Sequence, residues 1–192
     1  AVGPRWQDRH TGQSAPFVRI GRRGLQTVPC ADGVQGTIEC DTLIASGCLI
    51  PLHSVDAIGP MDERLFIDQI DTEWGLRAQA RGYRLYGVCD AILFHAIGEA
   101  SVPAWFAKTS RVSVHAPVRD YYLFRNAITI FFRRKAPWRW RIVQGTRLAG
   151  LFIVLTIQVP PRRERLRMIL RGIFDALRGQ LGPIEVTPAH VR

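Results

Sequence analysis

Residues 65–77 set Asp68, Asp71 and Glu73 beside Trp74 and Arg77 at the entrance of a predicted helix, and their flanks constrain the fold more than any other feature. The first turn of a helix leaves backbone N–H groups unpaired and carries the positive end of its dipole, so carboxylates are tolerated there. An apolar run over residues 42–50 precedes this entrance, and a strand pattern ending at His95 follows it. Strand, acid-rich helix and strand in succession predict a mixed α/β layer structure. The run 42–50 reads as a buried strand, and Ser46-Gly47 marks a point where backbone or ligand approaches closely.

The rest of the first hundred residues fits the same alternation. Residues 1–41 read as a short strand and a loop-rich excursion. A short helix over 55–58 stops at Gly59-Pro60, and the helix over 71–81 ends at Gly82, where a left-handed residue is favoured. Residues 84–88 and 91–95 predict two strands around a turn at Cys89-Asp90. From residue 102 the pattern turns helical. Asp120 is the expected cap of a helix through Phe132, and Ala136-Pro137 breaks the chain. A second helical segment opens at Trp138, with an apolar part over 148–160 too short for the ~20 residues a bilayer requires. After Pro160-Pro161, a helix over 162–181 aligns Leu166, Ile169, Leu170, Ile173, Leu177 and Leu181, with Arg163, Arg167, Arg171 and Arg178 on other faces. Two regions are therefore expected, 1–101 and 102–192.

Charge divides along the same line. Residues 1–100 hold 9 Lys/Arg against 12 Asp/Glu, and residues 101–192 hold 17 against 4, within a net charge of +10. Such a basic surface attracts nucleic acid, anionic lipid or phosphorylated substrates. Long apolar runs, and the lack of any recognised nucleic-acid reader pattern, favour the plane of an anionic membrane. The alternative is that these helices pack on one another or on a second copy. The four cysteines, Cys30, Cys40, Cys48 and Cys89, have neither metal-finger nor disulfide-framework spacing, so free thiols in a reducing, cytoplasmic compartment are expected.

Several segments resemble family 2 glycosyltransferases, the inverting GT-A type, and within them bacterial rhamnosyltransferases. They are Gly3-Pro4-Arg5, Ser46-Gly47-Cys48-Leu49-Ile50, Met61-Asp62-Glu63-Arg64-Leu65-Phe66, Asp68-x-x-Asp71-x-Glu73-Trp74, Arg81-Gly82-Tyr83, Leu93-Phe94-His95, and the run from His115 to Asn126. The resemblance implies the acceptor half of a GT-A fold followed by basic amphipathic helices. The nucleotide-binding half, with its Asp-x-Asp, is expected upstream of Ala1. It further implies transfer of a sugar, rhamnose in the first place, from a nucleoside-diphosphate donor such as dTDP-rhamnose to a lipid-linked or polysaccharide acceptor at the cytoplasmic membrane face. Galactofuranosyl transfer is the alternative within the family, and a non-catalytic membrane module the alternative outside it.

Inverting transfer needs a base for the acceptor hydroxyl and positive charge for the departing diphosphate. By the resemblance Asp71 is the base, with a plain helix cap as the competing reading. Asp68 and Glu73 are acceptor-binding candidates, Glu73 being equally suited to the helix dipole. Trp74 offers a sugar-stacking face or a core side chain. Ser46 and Gly47 mark close acceptor approach or a tight strand crossing. His95 is implied to complete a Mn²⁺ or Mg²⁺ site begun by the upstream carboxylates, against a structural histidine. Arg125 is a candidate pyrophosphate clamp, against a solvated arginine.

Overall fold

The computed structural model describes residues 1–9, 12, 14–21, 24–30, 36–95, 100–103, 111–133 and 136–184. It is a mixed α/β structure. A three-stranded sheet in the order β1-β5-β4 joins β1 (Val2–Asp8), β5 (Leu85–His95) and β4 (Thr37–Cys40), with β1 parallel and β4 antiparallel to β5. Two antiparallel pairs, β2 (Phe17–Gly21) with β3 (Gly24–Val28) and β6 (Ala100–Pro103) with β7 (Arg111–Val114), form separate sheets. The helices are α1 (Leu52–Ile58), α2 (Ile70–Gln79), α3 (Pro117–Phe132), α4 (Trp138–Ile153) and α5 (Arg162–Leu177).

Local chemistry sets several helix ends. Gly59 takes φ 92° after α1, and Gly82 takes φ 82° beyond α2, where its N–H donates to the Gln79 carbonyl. Helix α3 begins earlier than expected, at Pro117, whose fixed φ and missing N–H suit a first helical position. Asp120 therefore sits inside α3 and does not cap it.

Three expectations are corrected. Residues 42–50 are not a strand: their backbone pairs with β1 only by the reciprocal Val2–Leu49 bonds, with one further bridge from Thr42 to Val18, and closes a turn from Cys48 N–H to the Ala45 carbonyl. Leu85–His95 form one strand, with the expected turn reduced to a register step from Pro4↔Val88 to Arg5↔Ile92. Cys30 and Cys89 form a disulfide, their Cα atoms 5.6 Å apart across 59 residues of sequence, so only Cys40 and Cys48 are free among the four. Burial pushes the Cys40 thiol up to about 12, which leaves it an inert core residue.

Three apolar clusters hold the layers together. Phe17, Ile58, Trp74 and Leu85 fill the space between the sheet and α1–α2. Phe124, Leu148, Leu155 and Ile169 join α3, α4 and α5. A third, of Leu65, Leu76, Ile130 and Trp140, draws on both sides of residue 101 and ties the two regions into one body. Helices α3 and α5 pack closely because α5 presents Gly172: a Cβ there would lie 2.5 Å from the Tyr121 carbonyl oxygen. Gly172→Ala is accordingly expected to destabilise the protein by about 1–3 kcal/mol through overpacking. Urea unfolding checks this, and an unchanged midpoint would show that the helices can part without cost.

Candidate functional site

A cavity of about 880 Å³ opens between the entrance of α2, the start of α3 and the inner face of α4. This is the size of a small-molecule site. Its floor is the segment after the 3-10 turn Glu63–Leu65, where Phe66, Asp68 and Gln69 all adopt φ near +64°. Three left-handed non-glycine residues within four positions are costly and persist only where the surroundings impose them.

The surroundings are explicit. The Asn126 side-chain amide donates to the carbonyls of Leu65, Ile67 and Asp68 at 2.7–2.9 Å. Arg125 donates to the Leu65 carbonyl at 2.9 Å and also to the Gly182 carbonyl. The Arg119 guanidinium grips both oxygens of Asp68 at 3.0 Å, in the forked geometry suited to a carboxylate. Helix α3 thus holds the strained floor by its polar side chains, and α2 starts directly behind it.

Asp71 lies in the first turn of α2 and lines the cavity. Its carboxylate accepts from the Thr72 N–H at 2.7 Å and the Ala45 N–H at 3.3 Å. No cation pairs with it among the described residues. Burial raises its pKa above the ordinary 3.8, against the pull of those two N–H groups. A half-buried carboxylate without a counter-ion, held by backbone donors at a cavity wall, is equipped to accept a proton from a bound hydroxyl.

Of the other expected site residues, Asp68 and Ser46 line the same cavity. Four do not meet their expected roles. Trp74 is 4 % exposed and its indole N–H donates to the Gly59 carbonyl, so its ring faces the core and not a sugar. Glu73, 3 % exposed, bonds Arg77 and Arg133 at 2.7–2.9 Å and clamps α2 to the end of α3. Gly47 takes φ +72°, and a Cβ there would meet the Pro4 ring at 2.9 Å, so its small size serves a crossing with β1. Arg125 is 1 % exposed and engaged by the Leu65 and Gly182 carbonyls and the Asn126 side-chain oxygen, which corrects the expectation of a pyrophosphate clamp: its fork holds the floor of the cavity. His95 pairs by backbone register with Asp8 at the end of β5, and its side chain lies outside the described residues. Among the described residues no three His, Cys, Asp or Glu side chains converge as metal ligands. These residues by themselves do not fit a metal centre.

Arg147, on the α4 wall of the cavity, is not among the site residues expected from the sequence. Its signal was present: Arg147 is the one charged residue between positions 142 and 159. Asp120, the expected helix cap, is instead a buried partner of Arg165, at 2.6 Å, and lines the same cavity.

No protein-family model and no solved structure matches the chain. A dTDP-rhamnosyl transferase, RfbF of Shigella flexneri, is 33 % identical over 181 residues, covering 94 % of this chain. The chain spans 59 % of that relative's length.

Proposed function

We propose that this chain is the acceptor-side part of an inverting glycosyltransferase that moves rhamnose from dTDP-rhamnose to a lipid-linked or polysaccharide acceptor in cell-envelope glycan synthesis. The observation that carries the reading is Asp71, a counter-ion-free carboxylate raised by burial at the wall of a substrate-sized cavity. The similarity to a dTDP-rhamnosyl transferase along nearly the whole chain supports the choice of donor. In this reading an Asp71 oxygen takes the proton of the acceptor hydroxyl as the hydroxyl's own oxygen bonds to the anomeric carbon. The bond from that carbon to the diphosphate oxygen breaks, and dTDP leaves with the electron pair. In this reading the nucleotide-binding half of the GT-A fold is supplied by sequence outside these residues, in keeping with the 59 % of the relative's length that the chain spans. His95 is carried as one ligand of a divalent cation whose remaining ligands come from there. The test is consumption of dTDP-rhamnose by the full-length enzyme with an acceptor extract; turnover of a galactofuranosyl donor in its place would move the protein to the alternative reading.

The same proposal puts the enzyme on the cytoplasmic face of an anionic membrane. Helix α5 supports this. Ile169 and Gly172 turn inward, whereas Leu166, Leu170, Phe174 and Leu177 form an exposed row 38–64 % accessible, flanked by Arg163, Arg167, Arg171 and Arg178. An apolar row bordered by arginines suits acyl chains beneath anionic headgroups. Helix α4 and the π turn Val154–Gln158 make a continuous 21-residue helix, long and apolar enough by length and composition to cross a bilayer, which the shorter apolar run of 148–160 did not suggest. Trp140, Gln144 and Leu148 nevertheless pack against protein, and Arg147 lines the cavity. A peripheral attachment through α5 accommodates both facts. The Cys30–Cys89 bond is the feature that argues against a reducing compartment. Replacing Leu170 and Phe174 together by glutamate is expected to weaken binding to phosphatidylglycerol vesicles at least about tenfold, since each apolar side chain contributes ~1.5–3 kcal/mol when buried. Co-sedimentation that stays at the wild-type level would remove α5 as the anchor.

A further inference from the structure

We infer that Arg147 is an anion-binding residue of the cavity and that the group it takes is a diphosphate carried by one of the two substrates. The inference rests on the glycosyltransferase reading for the identity of those substrates, not for the anion site itself.

The charges of the cavity nearly all cancel in place. Arg119 is consumed by Asp68. Asp120 is consumed by Arg165. Asp71 stands without a cation, and Arg147 stands without a hydrogen bond or ion pair among the described residues. Arg147 is exposed by area, yet protein surrounds it closely enough that burial lowers its pKa, with only Asp68 acting in the opposite sense. The water it meets is that of the cavity. An arginine on the cavity wall without an anionic partner gains from an anion that enters, and its planar fork matches two oxygens of a phosphate.

The walls beside it narrow the ligand. Gly150 and Leu151 follow Arg147 on the same face of α4, and Leu155, Leu123 and Val112 continue an apolar surface. A free inorganic anion would leave that surface unused. A diphosphate with an organic substituent uses both. Two such groups occur in the proposed reaction: the leaving nucleoside diphosphate and the diphosphate of a prenyl-linked acceptor.

The experiment is titration calorimetry of the full-length enzyme with dTDP and with farnesyl diphosphate, for the wild type, Arg147→Gln and Arg147→Lys. Losing a charge-assisted forked contact is expected to weaken one of the two ligands roughly 10- to 100-fold in Arg147→Gln, with partial recovery in Arg147→Lys. The ligand affected identifies the source: dTDP assigns Arg147 to the leaving group, farnesyl diphosphate to the acceptor. Wild-type affinity of Arg147→Gln for both overturns the inference. So does an equal loss for sodium sulfate and both diphosphates, which would mean non-specific attraction. Because the readout is binding, a failure of rhamnosyl transfer leaves this result standing, and a failure here leaves Asp71 and the transfer assay untouched. Circular dichroism of both variants controls for folding.

Discussion

Asp71→Asn is expected to lower turnover of the full-length enzyme by about 10²- to 10⁴-fold, the usual worth of a positioned general base, while leaving dTDP affinity within a factor of two or so. The substitution keeps the size of the side chain and one oxygen to accept the Thr72 N–H, so the entrance of α2 should remain as it is. What it removes is the capacity to take a proton. The pH dependence follows from the same carboxylate. A base must be ionised to act, so kcat/KM is lost as pH falls through the pKa of Asp71. Burial raises that pKa, which puts the acid limb above the ordinary 3.8. Wild-type-like turnover in Asp71→Asn would end its assignment as the base.

The second large effect lies in stability. Arg165 and Asp120, each with a side chain 4 % exposed, are paired at 2.6 Å, and Arg165 also donates to the His115 carbonyl at 2.8 Å. Arg165→Met leaves Asp120 buried without its partner and is expected to cost about 3–5 kcal/mol. Asp120→Leu combined with Arg165→Met should recover much of that, because no charge is then left behind. Burial raises Asp120 to about 6 in the folded protein, against the lowering by Arg165. The folded state therefore binds the proton more tightly than the unfolded one, whose carboxyl keeps the ordinary 3.8. Stability from this group is greatest below 3.8 and declines as pH rises through 6. In Arg165→Met the opposing arginine is gone and the pKa moves higher still. The deficit of the variant should thus be largest near neutral pH and shrink on acidification. A deficit that grows as pH is lowered would contradict this balance of burial and pairing.

What could be read in advance was local. Gly59-Pro60 and Gly82 end helices by their own backbone chemistry, and Asp71 stands in the first turn of α2 because acids are at ease there. Pairing at long range was not legible. Residues 42–50 have strand composition, yet their backbone pairs with β1 at a single position; Cys30 and Cys89 bond across 59 positions of sequence. Chemical aptness also misled. Trp74, Glu73 and Arg125 are the residue types a sugar site wants, but their partners, Gly59, Arg133 and Gly182, lie 15, 60 and 57 positions away and turn them inward. Arg125 and Asn126 still matter for the site, through the left-handed floor that they fasten.

The central claim is that this cavity receives an acceptor hydroxyl which Asp71 deprotonates for direct attack on the sugar. It is tested most directly by the anomeric configuration of the product that the full-length enzyme forms from dTDP-rhamnose, read by NMR. A single displacement predicts a rhamnosyl product of configuration opposite to that of the donor, formed by the wild type and not by Asp71→Asn. A product of retained configuration, or one formed equally well without Asp71, would contradict the account.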